Sequence, residues 1–348
     1  MNRKFSILQV YRGIAAMLVV LYHFTKLFYR QHNRLVLFND FFDFGGYIGV
    51  DFFFVLSGFI ITYNHYHDIG NQTKLLPYFI KRLVRVYPIY WLFFCVYLIL
   101  LVFTQRIFFA EHNLIYFLKS FFLIYQPSFP VMMVAWSLCF EVFFYCCFGC
   151  CIILSKRFAI IFSILWLSII LIYNICFKDS LLSYPFFVFI LNINVGRFLL
   201  GCVAGYLVLT YKTLSTNWFL LGGLAFLILY FNINGSNWNV NALIETMSFV
   251  FIIIGSTGLE KNFPFKNLFI KIGDASYVLY LFHVLPISLL SRVLGLFNLS
   301  AINSFYINCY CILGLVVIVC VSILIHNCIE KPLTNRLKTM LLSIPRRN

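Results

Sequence analysis

Apolar stretches long enough to cross a membrane recur along the whole chain, separated by short polar connections. A helix needs about 20 apolar residues to span the hydrocarbon core of a bilayer. The pattern predicts an all-α integral membrane protein, a polytopic bundle of about ten transmembrane helices. We place these ten spans near residues 6–28, 45–65, 84–104, 134–155, 158–177, 194–211, 217–232, 240–258, 273–293 and 304–326.

The connections between the spans are too short for a folded soluble unit. The two longest, 66–83 and 105–133, would hold short interfacial helices at most, and 181–192 resembles an additional re-entrant piece. The first apolar run is long and a second span follows it at once, so we expect a retained span and not a signal peptide. We therefore expect one transmembrane domain over residues 1–348, with no separate soluble domain.

Composition supports the membrane assignment. Hydrophobic residues make up 62% of the chain and charged residues 11%, with 43 phenylalanines. Soluble proteins average about 25% charged residues. A soluble core of this size could not bury so many apolar side chains, so a water-soluble fold is excluded.

The net charge of +15 is distributed unevenly between the two predicted membrane faces. If the amino terminus is cytoplasmic, 17 Lys and Arg residues outside the spans or at their ends face the cytoplasm and six face the other side. Cytoplasmic loops of membrane proteins are enriched in Lys and Arg, so we expect both termini in the cytoplasm. Because the basic residues lie in short loops and at the carboxyl end, we expect no nucleic-acid partner.

The 12 cysteines lie mostly inside apolar runs. They could form a thiolate metal site, or they could be small apolar residues packed between helices. No ligand-spaced partner motif accompanies them, and His65 with His67 is too weak a pair to indicate a metal. We therefore expect packing and no metal.

Arg12 and His23 are two ionisable residues inside the first apolar span. Eleven residues turn a helix through about three full circles, so both side chains lie on nearly one face, about 16 Å apart along the axis. Charged side chains in lipid are costly and usually functional. Imidazole titrates near neutrality, so His23 is a candidate general base, although it could also be a hydrogen-bonded core histidine.

Two carboxylates on other spans are candidates to assist His23. Asp51 and Glu141 each fall about 10 Å in from the predicted outer surface. Either could orient His23 and stabilise its imidazolium, or could form a structural ion pair with Arg12 or Arg197.

Arg82 and Arg85 are three residues apart at the predicted cytoplasmic end of the third span. This spacing places both guanidinium groups on one helix face, where they could hold phosphate oxygens or anchor the helix to lipid headgroups. Ser57 and Gly58 indicate a close backbone approach, which more often serves helix packing than catalysis.

The same residues match a known pattern, and the chain resembles the membrane-bound acyltransferase-3 family, whose members acylate sugars of bacterial surface polysaccharides. The resemblance covers nearly the whole chain in five blocks. They are Arg12 with His23, the segment Gly49–Phe59 reading GVDFFFVLSGF, Arg82-x-x-Arg85 with Tyr87-Pro88, Trp136-Ser-Leu-x-x-Glu141, and Ser276–His283 together with Glu330-Lys-Pro.

The resemblance implies residue roles. It assigns Arg12 and His23 to catalysis, and Arg82 and Arg85 to the acyl-coenzyme A donor. We add Asp51 and Glu141 to the catalytic residues and Tyr87 to the donor site, and we assign Ser57, Trp136 and His283 to substrate binding. Some relatives carry an extracytoplasmic hydrolase-like domain after the tenth span, and without it we expect transfer to finish in the membrane domain or pass to a separate protein.

These observations predict an integral-membrane O-acyltransferase, most simply an O-acetyltransferase, in the bacterial inner membrane. Acetyl-coenzyme A would enter from the cytoplasm, and His23 would deprotonate a hydroxyl of an envelope polysaccharide sugar or lipid-linked glycan. Direct transfer and an acyl-histidine intermediate are both open.

The alternative is a proton-coupled transporter or flippase of a glycan precursor, which also needs charged residues in the membrane. No internal repeat stands out, and the basic pair lies at one mouth of the bundle, which favours the enzyme. Membrane lipid is an expected partner. A homodimer stays open, because Gly201 and Gly205 could serve contacts within or between chains.

Overall fold

The computed structural model describes residues 5–32, 39–103, 113–177, 184–211, 217–232, 238–258, 266–296 and 304–343. Within these ranges the chain forms α-helices and short 3-10 or π-helical turns, and no β-strand. This confirms the all-helical prediction for the described part of the chain. Residues 1–4 and 104–112, and part of the predicted re-entrant stretch, lie outside the described residues.

The α-helices are numbered in chain order. They are α1 (Ser6–His32), α2 (Asn39–His65), α3 (Leu75–Phe103), α4 (Leu114–Phe121), α5 (Trp136–Ile153), α6 (Lys156–Ile172), α7 (Pro185–Ile190), α8 (Ile193–Thr210), α9 (Asn217–Asn232), α10 (Trp238–Ser256), α11 (Lys266–Asp274), α12 (Ser276–Phe282), α13 (Val284–Leu294), α14 (Ser304–Ile325) and α15 (Lys331–Leu342).

Described helices lie at each of the ten predicted span positions, but not all of them have full spanning length. Seven stretches are long and apolar enough to cross a membrane, and α12 with α13 makes an eighth if the bent pair is one span. The helices α9 and α10 are apolar but shorter. The chain is thus a multi-pass helical membrane protein, and the number of ten crossings stays a prediction.

The third span begins earlier than the sequence pattern indicates. Helix α3 starts at Leu75, so Arg82 and Arg85 lie inside the helix and not at its end. The basic residues interrupt the apolar pattern but not the helix. The Lys81 side chain is exposed, whereas the Arg82 side chain is buried inside the bundle. Much of the predicted connection 66–83 is therefore helical.

The predicted span 273–293 is bent. Helices α12 and α13 meet at an angle of 46° at His283. Pro286 lies in the first turn of α13, where it has no amide hydrogen and its ring crowds the carbonyl of Phe282. The bend follows from this proline.

Glycines bring α2 and α8 into backbone contact. A Cβ added to Gly58 would lie 2.0 Å from the Phe198 carbonyl oxygen, and one added to Gly201 would lie 2.0 Å from the Val55 carbonyl oxygen. Only glycine permits so close a crossing. The predicted packing role of Gly58 is confirmed, and the contact made by Gly201 lies within the chain.

The helices differ in how much of their surface the protein covers. Of the most apolar window of each span, 67% is buried in α2 but only 17% in α6. Exposed Phe158, Ile161 and Leu165 on α6 are suited to contact lipid. Helix α2 therefore lies at the centre of the bundle, where α1, α8 and α5 pack around it.

Candidate active site

A cavity lies between α1, α2, α3, α5 and α12 and encloses about 770 Å³ of space not occupied by atoms. One wall is apolar and aromatic, with Phe54 and Phe198 at a ring-centroid distance of 5.2 Å. Ser57 of α2 is one polar residue of its lining. The other described polar lining residues come from α1, α3, α5 and α12: Arg12, Arg82, Arg85, Ser137, Glu141, Tyr145, Ser276, Tyr277 and Tyr280.

Helix α12 gives the cavity a direction. Tyr277 lies near Arg85 at one end, where its hydroxyl donates to the Val86 carbonyl oxygen, and Tyr280 lies about one turn further along α12. His283 follows after another turn and contacts His23, which lies about 16 Å along α1 from Arg12. The arginines and the histidines thus occupy opposite ends of one line.

The arginine end carries more positive than negative charge. Arg12 and Arg85 are within electrostatic reach of each other and of two carboxylates, Glu141 and Glu330. Arg82 adds a third guanidinium group. Asp274 also acts electrostatically on Arg12, but like Glu330 it does not line the cavity. Within the lining itself, three guanidinium groups accompany one carboxylate, Glu141, and this net positive charge favours an anionic ligand.

Arg82 is held in place by aromatic rings. It is only 7% exposed, and its guanidinium carbon lies 5.8 Å from the ring centroid of Tyr78 and 5.7 Å from that of Tyr145. Its Nε has no hydrogen-bond partner among the residues that the structure describes. The Tyr145 hydroxyl donates to Glu141 Oε1. The Arg82 Nε is therefore available to donate to a ligand.

His23 and His283 form a hydrogen-bonded pair. His283 Nε2 lies 3.3 Å from His23 Nδ1, and the ring centroids are 4.9 Å apart. His283 Nδ1 lies 3.0 Å from the Leu279 carbonyl oxygen, and His23 Nδ1 lies 2.9 Å from the Val19 carbonyl oxygen. On straight spans, the sequence predicts His23 nearer the outer face and His283 near the midplane. In the structure the two side chains are in contact, and the span that carries His283 is bent at this residue.

The carbonyl partners determine the tautomers of the two neutral rings. A carbonyl oxygen only accepts, so His283 Nδ1 carries the hydrogen and its Nε2 offers a lone pair. His23 Nδ1 then carries a hydrogen shared between Val19 and His283. His23 Nε2 is left with a lone pair, which is the state that a general base requires.

Tyr280 separates the cavity from this histidine pair. Its hydroxyl donates to the Val134 carbonyl oxygen at 2.7 Å and lies 2.7 Å from Ser137 Oγ. Its ring centroid is 6.1 Å from that of His283 and 6.5 Å from that of Phe53. Among the described residues, the cavity lining ends at Tyr280, and the histidines lie behind it.

Five of the ten residues singled out from the sequence line the cavity: Arg12, Ser57, Arg82, Arg85 and Glu141. His23 and His283 contact each other, so seven of the ten lie in or next to the site. Asp51, Tyr87 and Trp136 lie elsewhere.

Asp51 does not contact His23. It accepts a hydrogen bond of 2.7 Å from Arg197 Nη1, and Arg197 Nη2 donates to Glu245 Oε2 at 2.8 Å. Arg197 Nη1 also donates to Asn194 Oδ1 at 2.7 Å. This is the buried ion pair that the sequence left open as the alternative for Asp51.

Tyr87 and Trp136 also have structural contacts outside the cavity. Tyr87 donates to the Phe122 carbonyl oxygen at 2.9 Å, at the carboxyl end of α4, where unpaired carbonyls need donors. Trp136 packs edge-on against Phe54 and Phe140, at 6.2 and 6.1 Å between ring centroids. The structure brings neither side chain to the arginine end.

The sequence patterns do not single out four residues that the structure places in or near the site, or in the ion pairs of Asp51. Glu245 is the only acidic residue in the predicted span 240–258, and an acid inside an apolar span was a usable signal. Glu330 was noted only as part of a motif, although it accepts from His326 Nδ1 at 2.6 Å and reaches Arg12 electrostatically. Tyr280 and Ser137 gave no signal beyond their motifs.

The described residues contain no group of three or more His, Cys, Asp or Glu side chains arranged to hold a metal ion. Cys147, Cys151 and Cys202 line an apolar groove between α5, α6 and α8, which fits small packing residues.

The chain is similar to one protein family and to several named proteins. The acyltransferase-3 family model, described as an acyltransferase domain, matches residues 6–326. A Staphylococcus aureus (strain COL) protein, provisionally named an O-acetyltransferase, is 28% identical over 315 residues, covering 80% of this chain and 50% of its own length. The exopolysaccharide production protein ExoZ of Rhizobium meliloti (strain 1021) is 27% identical over 266 residues, covering 71% of this chain and 78% of its own.

The coverage differs between these relatives. The chain spans about half the length of the Staphylococcus aureus proteins that it matches. No solved structure matches the chain.

Proposed function

The chain belongs to the acyltransferase-3 family, and on that premise we propose that it is an integral-membrane O-acetyltransferase. It would move an acetyl group from acetyl-coenzyme A to a sugar hydroxyl of an envelope polysaccharide. One observation carries this proposal: a cavity lined by three arginines at one end adjoins, at the other, a histidine whose Nε2 has a lone pair.

The arginine end suits the donor. Coenzyme A is a polyanion, and Arg82 and Arg85 are able to form charge-assisted hydrogen bonds with its phosphates. The pantetheine arm would then follow the aromatic wall formed by Phe54 and Phe198 towards Tyr280. Arg12, near Arg85 at the arginine end, would help to hold the donor in position.

The histidine end suits the acceptor. His23 Nε2 would take the proton of the sugar hydroxyl as its oxygen attacks the thioester carbon. The carbon–sulfur bond breaks, and the coenzyme A thiolate receives the proton from the imidazolium. His283 would be a positioning residue, because its lone pair keeps the hydrogen of His23 on Nδ1.

The location and topology belong to the same proposal. A donor made in the cytoplasm requires the arginine end to face that side, and the excess of Lys and Arg on that side supports this orientation. A bacterial inner membrane would place the acceptor at the opposite face. The name of ExoZ supports a polysaccharide acceptor.

The test is acyl transfer in isolated membranes. Radiolabelled acetyl-coenzyme A is followed into envelope glycan with the intact chain and with His23→Gln. General-base catalysis contributes about 10²–10⁴ in rate, so we expect the variant to lose at least a hundredfold. His67→Gln, an exposed histidine outside the site, is the matched control and is expected to keep full activity.

Three outcomes would change the assignment. Incorporation that survives His23→Gln at equal protein level would keep the enzyme and reject the proposed base. Label retained on the protein without acceptor, and lost in the variant, would indicate an acyl-histidine intermediate. No incorporation from any acyl donor would favour the transporter.

A further inference from the structure

A second, polar pocket lies where the chain passes from α2 to α3. It encloses about 580 Å³ of space not occupied by atoms. The 3-10 turns Tyr66–Asp68 and Gln72–Lys74 shape it, with the first turns of α3 as its far wall. We call it the lysine pocket; its polar lining is His65, Asp68, Thr73, Lys74, Tyr78 and Lys81.

The lysine pocket has an excess of cationic groups. The one acidic side chain in its lining, Asp68, accepts a hydrogen bond of 2.8 Å from His65 Nδ1. Lys74 and Lys81 are exposed and form no ion pair with any residue that the structure describes. Two ammonium groups without acidic partners around a concave surface favour an anionic group.

The lysine pocket adjoins the cavity of the active site. Tyr78 lines the lysine pocket, and the guanidinium group of Arg82, which lines the cavity, lies over the Tyr78 ring. The unpartnered Nε of Arg82, on a side chain only 7% exposed, lies at this junction. Lys81, Arg82 and Arg85 therefore form a continuous basic line along α3, about 6 Å long.

We infer that the lysine pocket binds the terminal phosphate of the donor, the 3′-phosphate on the ribose of coenzyme A. This inference rests on the proposed function. With the pantetheine arm in the cavity and the diphosphate at Arg82 and Arg85, the nucleotide end extends past Tyr78 into the lysine pocket. A lysine is a suitable point charge for a phosphate monoester. The pocket would make the enzyme selective for coenzyme A over thioesters without this phosphate.

A phospholipid headgroup offers the same chemistry, because lysines near a membrane surface also attract anionic lipid. The test must therefore separate the two sources. We propose calorimetric binding of coenzyme A and 3′-dephospho-coenzyme A to the full chain in nanodiscs, made once with zwitterionic lipid alone and once with phosphatidylglycerol.

The native chain is expected to bind coenzyme A roughly tenfold more tightly than the dephospho form, as for one charge-assisted hydrogen bond. Lys81→Gln and Lys74→Gln should bring this ratio towards one and leave the affinity for dephospho-coenzyme A unchanged. That unchanged affinity also reports that the variants are folded. Lys271→Gln, an exposed lysine on α11, should keep the native ratio.

Each contrary result has its own meaning. Equal native affinity for both ligands, or full discrimination in both lysine variants, would overturn the lysine pocket and leave the donor proposal intact. Loss of discrimination only in phosphatidylglycerol nanodiscs would assign the pocket to lipid and overturn the inference. If the native chain binds neither ligand, the coenzyme A donor itself is wrong.

Discussion

At the scale of single residues, the chemistry proposed for His23 depends on which of its nitrogens holds the hydrogen. Val19 and His283 both accept at Nδ1, and the opposite nitrogen keeps its lone pair. A carbonyl alone would hold the hydrogen less firmly than two acceptors together. The contribution of His283 is therefore measurable separately from that of His23.

Replacing His283 tests this positioning role. His283→Leu removes the second acceptor, and we expect acetyl transfer to fall about tenfold or more, in the range found when partners of functional histidines are removed. His283→Gln offers an amide oxygen in its place and is expected to lose less. The measurement is the transfer rate in membranes at equal protein level. Equal losses in the two variants would contradict the positioning role.

Asp51 shows what a sequence motif leaves undetermined. The pattern identifies a carboxylate in lipid, but its partner depends on how the helices pack, and Arg197 is 146 positions away. Arg12, Arg82, Arg85 and Glu141 were easier to assign to one cavity. Charged side chains on several spans point into the interior of the bundle because contact with lipid is costly for them, and they therefore come together there.

The buried triad of Asp51, Arg197 and Glu245 has a stability signature. Arg197→Met leaves two buried carboxylates without a cation, which costs about 3–5 kcal/mol. Asp51→Asn keeps a hydrogen-bond acceptor for Arg197 and should cost less. Thermal unfolding in detergent gives the order, and transfer per folded molecule should stay near native for Asp51→Asn. A folded but inactive Asp51→Asn variant would return Asp51 to the catalytic residues.

At the scale of helices, the apolar pattern located the spans but not their ends or bends. Helix α3 begins at Leu75, so the turn that contains Lys81, Arg82 and Arg85 lies within the helix. The bend at His283 depends on Pro286, whose effect on the path of a helix is local and cannot be expressed in hydropathy. Small residues such as Gly58 predicted that a helix would cross closely at that position, but not which helix would cross there.

The crossing of α2 and α8 is sensitive to one side chain. In Gly201→Val the new Cβ would meet the Val55 carbonyl oxygen at 2.0 Å, so the helices must separate. Overpacking of this kind costs about 1–3 kcal/mol or more. Gly222→Val is the matched control, because nothing lies within 4 Å of a Cβ built there. We expect a lower unfolding temperature in detergent for the first variant only; equal temperatures would show that α2 and α8 tolerate separation.

At the scale of the whole molecule, the site combines distant parts of the chain. His23 and His283 are 260 positions apart, and α12 completes a cavity whose other walls come from α1, α2, α3, α5 and α8. Such pairings cannot be derived from hydropathy, because hydropathy locates the spans along the chain but does not show which spans pack against each other. The family motifs identified the participating residues but not their distances.

The orientation in the membrane is a prediction from the distribution of basic residues, and it is open to direct measurement. A green fluorescent protein fused at the carboxyl end should fluoresce, whereas alkaline phosphatase at that position should be inactive. Phosphatase fused after residue 110, in a predicted outer connection, should be active. Reversed activities would invert the bundle and place the arginine end away from the cytoplasm.

The position of Tyr280 has an energetic consequence for the cell. An enzyme that receives one substrate from each side of a membrane is at risk of becoming a pore, and moving one elementary charge through 100 mV releases about 2.3 kcal/mol. The hydrogen bond from Tyr280 to Val134 and the contact with Ser137 hold the tyrosine ring between the arginines and the histidines, where it narrows the route that the acyl group would take. We expect Tyr280→Ala to let protons leak across proteoliposomes under an imposed gradient, while Tyr280→Phe, which keeps the ring, leaks less. Tyr280 would then limit the leakage of protons through the protein and so preserve the ion gradients of the cell.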